Sequence, residues 1–123
     1  MPRDRSDAKL VWDMLDVARY LVDLTSGQSF EAYAESRSLR MACERGIEII
    51  GEAARGVSDE FRRAHPDVAW SAIIATRHII SHEYDDVQDD KVWRMLTTHV
   101  PRLVAQLEPI LRNAQQSEEP LSS

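Results

Sequence analysis

Apolar residues recur every three or four positions through most of this chain, and no stretch alternates apolar with polar over the length of a strand. From Asp7 to Leu24 the set Leu10, Val11, Met14, Leu15, Ala18, Leu21 and Val22 keeps that spacing, while Asp13, Asp16, Arg19 and Asp23 fall largely elsewhere. A helix gathers such positions into one stripe, and a strand scatters them over both faces. There is also no internal repeat and no heptad run. The expected fold class is therefore all-α, an antiparallel bundle of about five to six helices.

The chain divides as follows. Thr25-Ser26-Gly27-Gln28 carries turn chemistry, with Gly27 able to take the left-handed conformation that ends a helix. Ser29 is placed to cap a short helix whose Phe30 and Tyr33 are expected to pack back on the first. A second long helix runs from near Glu35 to Arg55 through Leu39, Ala42, Cys43, Gly46, Ile47, Ile50, Ala53 and Ala54, and Gly56 ends it. Gly46 and Gly51 cost it about 1 kcal/mol each relative to Ala, and small residues there let another helix approach closely. Ser58 to Ala64 reads as a short capped helix, and Pro66 forces an extended step at His65. Asp67 or Val68 opens the next helix, which carries Trp70, Ile73, Ile74, Ile79 and Ile80 inward. After the acidic connection 85–90, a last helix runs from Val92 to Leu111, bent or divided by Pro101. One domain, 1–113, is expected, followed by a polar, disordered tail over 114–123.

Of the 15 basic residues only Lys9 and Lys91 are lysines, so positive charge here is almost wholly guanidinium. The net charge of −6 argues against a general nucleic-acid coat, which works by neutralising phosphates. Any RNA site must be local. The lone Cys43 can form no internal disulfide and is expected to be a small buried hydrophobe. With no long apolar run, the expected location is the cytoplasm, away from membranes. Trp12, Trp70 and Trp93 sit in apolar patterns and are expected in the core or at an interface between copies.

Candidate chemistry concentrates in Arg77-His78-Ile79-Ile80-Ser81-His82-Glu83-Tyr84. Arginine offers a permanently charged fork for phosphate oxygens, and histidine titrates near neutrality. His78 and His82, four apart, would share a helix face that could hold a metal with Glu83 or His99. The surroundings lack the H-E-x-x-H pattern of zinc hydrolases, and no metal or other cofactor is expected. On an ideal helix Arg77 and His82 lie about 140° apart. Either the helix loosens near Ser81 or a second copy completes the site. Tyr84 reads from the residues alone as an aromatic at a helix end, ring buried and hydroxyl wet.

The R-x-x-x-x-H pattern of Arg77 and His82 resembles the signature of the HEPN superfamily of RNA-cleaving domains, and Tyr84 resembles the tyrosine of its HepT branch. The surroundings agree. Glu44-Arg45-Gly46-Ile47-Glu48-Ile49-Ile50-Gly51-Glu52-Ala53 is similar to the family's E-R-x-x-x-x-I-G-E-A segment. Trp70, Val92-Trp93 and Val100-Pro101-Arg102-Leu103 match further positions. The chain departs at His78, where the family usually has asparagine.

The resemblance implies a helical toxin ribonuclease of a toxin–antitoxin system that cleaves RNA without metal. It implies a homodimer with motifs face to face, and an MntA-like nucleotidyltransferase antitoxin that silences the toxin by adenylylating the motif tyrosine. On that reading Arg77 and His82 are catalytic, His78, Ser81 and Glu52 support them, and Tyr84 is modified. Glu52 either is an exposed helix carboxylate or reaches across the bundle to orient Arg77. Arg40 and Arg45 are candidates to extend the RNA surface, although pairing with Glu44, Glu48 or Glu52 is the commoner fate of such charges. Two competing readings keep the fold without the chemistry: a noncatalytic partner or nucleotide-binding subunit of a minimal nucleotidyltransferase, and a purely structural helical dimer.

Overall fold

The computed structural model describes residues 6–82 and 88–118, with the side chains of 77–79, 81, 82 and 114–118 outside the description. The described chain is all-helical: α1 (Asp7–Thr25), α2 (Phe30–Glu35), α3 (Arg37–Gly56), α4 (Asp59–Ala64), α5 (Trp70–His82), α6 (Asp89–Arg94) and α7 (Val100–Glu118). A single π-helical segment, Met95–His99, joins α6 to α7 without a break, so six continuous helices are present among the described residues. α7 runs on past Asn113, where the sequence suggested a polar tail, to Glu118.

Four serines start helices by the same means. The side-chain oxygens of Ser6, Ser29, Ser36 and Ser58 accept from the amides of Lys9, Ala32, Leu39 and Phe61 at 3.0–3.1 Å, satisfying donors that a first turn leaves orphaned. Ser58 also donates through its amide and hydroxyl to the Asp7 carboxylate, at 2.9 and 2.7 Å, tying the start of α4 to the start of α1. Arg62 closes the end of α3: its Nε donates to the Val57 carbonyl and its Nη2 to that of Arg55. Gly27 has φ +78°, as the turn after α1 requires.

α1 packs against α3 and α7, and α3 packs against α5. The core is the set of stripes those contacts bury: Val11, Met14 and Leu21 from α1, Cys43 and Ile47 from α3, Leu107 from α7. Gly46 is where α1 and α3 come closest, since a Cβ built on it would sit 2.6 Å from Leu21 Cδ2.

The start of α5 differs from expectation, and two packing details are added. α5 begins at Trp70, two or three residues later than the sequence suggests, because the Trp70 indole Nε1 donates to the His65 carbonyl at 3.0 Å and the Trp70 amide to that of Val68 at 2.9 Å. These bonds hold the Pro66 step as a turn. Phe30 and Tyr33 also meet Trp93 of α6, with ring centroids 6.4 and 5.2 Å away. Trp12 is 45% exposed, with Lys9 Nζ over its ring at 4.9 Å, while Trp70 is buried.

Pro101 neither stops the last helix nor stands in a plain α-turn. It stands two residues after the π segment, at whose end the Val100 amide donates five residues back to the Met95 carbonyl. A proline has no amide to donate, and its ring crowds the carbonyl four residues earlier. The wider π turn is where a helix can accommodate both.

Candidate functional site

Arg77, His78, Ser81 and His82 fall on the last turns of α5, which stays α-helical through His82. Their side chains, and Glu83 and Tyr84 entirely, lie outside the described residues. The helix itself is well anchored. Val68 before it and Trp70 and Ile80 within it are buried, and α3 supports it along its length.

The other named residues sit on α3. Arg40 is half-buried, and its Nη1 donates to the Ala34 carbonyl at the end of α2, where a helix leaves acceptors unsatisfied. Arg45 is exposed and pairs with Glu48 one turn on, at 3.4 Å. Glu52 is exposed on the same helix. Arg40 and Arg45 thus have partners within α2 and α3.

Arg40, Cys43 and Glu44 of α3 also meet Tyr33 of α2 and Asp89 of α6. Burial pushes the Tyr33 phenol above its ordinary range and the Cys43 thiol up to about 11, with the Glu44 charge adding to the second. The Tyr33 hydroxyl is buried and has no hydrogen-bond partner among the described residues. Glu44 is itself raised, first by burial and then by the Asp89 charge, against the opposing pull of Arg40. A carboxyl raised on folding adds stability that is complete below the ordinary carboxylate range and is lost as pH climbs through the raised value. Glu44→Gln is therefore expected to be more stable than the parent at pH 7, by up to about 0.5 kcal/mol because the site is partly solvated. The advantage should vanish toward pH 4, read by denaturant melts at both pH values; an equal gap at each would refute it.

Opposite the α1 side of the bundle, α5 and the α6–α7 helix enclose a groove of about 430 Å³. Ile47 and Ile50 of α3 form its floor, with Ile73, Met95, Val100 and Leu103 on its walls. Lys91, Arg94, His99 and Arg102 border it, all exposed, and Asp67 is the one acid among the lining residues. Thr76, the residue immediately before Arg77, is among its described lining residues. Sequence reasoning did not group Lys91, Arg94 and Arg102 as a site because they come from α6 and α7. A signal was present: residues 91–107 contain no Asp or Glu in a chain that has 21.

The model of one family, the ribonuclease HepT-like family, matches residues 14–110 and so spans every element that builds the groove and the motif helix. The chain belongs to the HepT-like ribonuclease family. Among relatives, a candidate RNase of Caldanaerobacter subterraneus subsp. tengcongensis is 33% identical over 99 residues, covering 80% of this chain and 88% of that protein. A candidate RNase of Methanocaldococcus jannaschii is 28% identical over 98 residues, covering 80% and 90%. A provisionally named ribonuclease HepT of Thermococcus cleftensis is 26% identical over 106 residues, covering 86% and 96%. No solved structure matches the chain. For a HepT-like protein, the described part of the site is its scaffold: a helix anchored at Trp70 and Ile80, with a cationic groove along one side.

Proposed function

We propose that this HepT-like protein is a metal-independent endoribonuclease toxin acting as a homodimer, with Arg77 and His82 of two copies meeting at one phosphodiester. The observation that carries the reading is the continuity of α5 through His82. No loosening at Ser81 brings the two positions to one side, so they remain about 140° apart. A twofold partner removes the difficulty, since Arg77 of one copy can face His82 of the other. Such pairing also doubles local positive charge in a protein of net charge −6.

In the reaction, His82 takes the proton of the substrate's 2′-hydroxyl and the oxygen attacks phosphorus. As that bond forms, the bond to the 5′-oxygen breaks, and an imidazolium returns a proton to the leaving oxygen. Arg77 neutralises the charge that builds on the phosphoryl oxygens. The products carry a 2′,3′-cyclic phosphate and a 5′-hydroxyl. His78, Ser81 and Glu52 support the site, in the cytoplasm and without membrane attachment; no helix of the described chain is long and apolar enough to cross a membrane.

Tyr84 is the point of control. An MntA-like nucleotidyltransferase attaches adenylate to its hydroxyl, placing a bulky anion where the RNA phosphate would bind. Incubation with the cognate transferase and ATP should add one adenylate by intact mass and stop cleavage, and Tyr84→Phe should block both effects. Cleavage should persist in excess chelator. An unchanged mass in the wild-type protein would refute the control step, and chelator-sensitive cleavage restored by one metal would refute the chemistry.

A further inference from the structure

We infer that the groove between α5 and the α6–α7 helix is the path by which unpaired RNA leaves or approaches the cleavage site, with Lys91, Arg94 and Arg102 gripping its phosphates. The inference rests on the ribonuclease reading above and extends it to the form of the substrate. Three observations lead to it. First, Lys91, Arg94 and Arg102 are exposed and take part in no ion pair among the described residues, although Arg19, Arg45 and Lys9 all find acids. Second, the stretch 91–107 that supplies them lacks acids altogether, and Asp67 is the one acid among the described lining residues. Third, the groove neighbours the motif along the chain on both sides: its described lining residues include Thr76, next to Arg77, and Lys91, seven residues after Tyr84.

The lining also says which RNA. A groove walled by Ile73, Met95 and Leu103 can take bases only when they are unstacked and unpaired, because a duplex presents phosphates and ribose outward. Two of its polar side chains are already engaged: Thr76 Oγ1 donates to the Ile73 carbonyl at 2.6 Å, and Gln106 Nε2 to that of Asp67 at 2.9 Å. Among the described lining residues His99 alone carries an aromatic ring, and it stands at the border of the groove. Binding there is therefore driven by phosphate contacts and apolar burial and tolerates sequence, with any base preference set at the motif itself.

The test uses the full chain carrying His82→Ala, which holds RNA without cutting it, and a fluorescein-labelled oligouridylate of twelve nucleotides. Arg94→Gln, Arg102→Gln and Lys91→Gln, each exposed and each checked by melting, should each weaken binding about fivefold. Each should also make the plot of log Kd against log salt shallower by about 0.7, one single-strand phosphate contact apiece. A duplex of the same length should bind more weakly and respond less. In the cutting protein the same changes should raise KM and spare kcat. Unchanged Kd and salt slope would overturn the inference. So would a groove variant that leaves RNA binding intact but changes the mass in solution, or that only weakens the complex with the transferase; the groove would then be a protein interface. If wild type cuts no RNA yet the glutamine variants still weaken oligouridylate binding, the ribonuclease reading fails and the groove stands.

Discussion

His82→Ala should reduce RNA cleavage by about 10²–10⁴-fold, the range a positioned acid–base group contributes, with helicity and melting temperature unchanged. Alanine has the highest helix propensity, so the change leaves the backbone of α5 intact. Arg77→Lys makes the companion case. It keeps one charge but loses the planar fork, and should lose most of the activity while binding RNA nearly as well. Mixing the two inactive proteins provides a sharper readout. If each site draws Arg77 from one copy and His82 from the other, a heterodimer of Arg77→Ala and His82→Ala rebuilds one intact site and recovers up to half the activity per dimer. No recovery, in a mixture shown to exchange subunits, would place both groups in one chain. Full activity in well-folded His82→Ala would end the assignment.

The largest stability effect is expected where α1 crosses α3. Leu21→Ala empties a fully buried position and should cost about 2–5 kcal/mol. Gly46→Ala places a methyl group 2.6 Å from Leu21 Cδ2, and Leu21 has no room to swing away. The overpacking, about 1–3 kcal/mol, outweighs the gain of about 1 kcal/mol in helix propensity, leaving a net loss. Combined with Leu21→Ala, however, the Gly46→Ala methyl group enters vacated space. The double variant should be more stable than the sum of the singles predicts, by about 1 kcal/mol or more. Urea titration of the four proteins measures the coupling, and strict additivity would show that the two helices do not meet as described.

How far the sequence discloses this molecule differs by feature. Helix starts at Ser29 and Ser58 are readable because the capping signal is local: one side chain meets an amide three residues on. The first turn of α5 is not, because what delays it is the Trp70 indole reaching back to His65, a contact made by the fold of that loop. Tyr33 and Phe30 are recognisably apolar and close to α1 in sequence, yet they also meet Trp93, about sixty residues away, and spacing along the chain carries no such information. The motif is recognisable through its resemblance, and Arg77 and His82 are known as positions on one helix. The groove is the opposite case. Its cations lie in plain view in an acid-free run, but only the approach of α5 to the α6–α7 helix makes them one surface.

The π turn before Pro101 amounts to one additional residue threaded into an otherwise regular helix. Val92 precedes it, Leu96 lies within it, and Leu103, Leu107 and Leu111 follow, all buried, so the residues on both sides point into the same interior only while that addition is kept. Deleting any one residue from 95–99 would leave a helix that is locally more ideal and turn everything downstream by about 100°. Leu107 would swing toward water, and Arg102 away from Lys91 and Arg94. In this part of the chain length is under tighter constraint than composition: a lost codon would be felt as far along as Leu111, where a changed one would be felt at its own position.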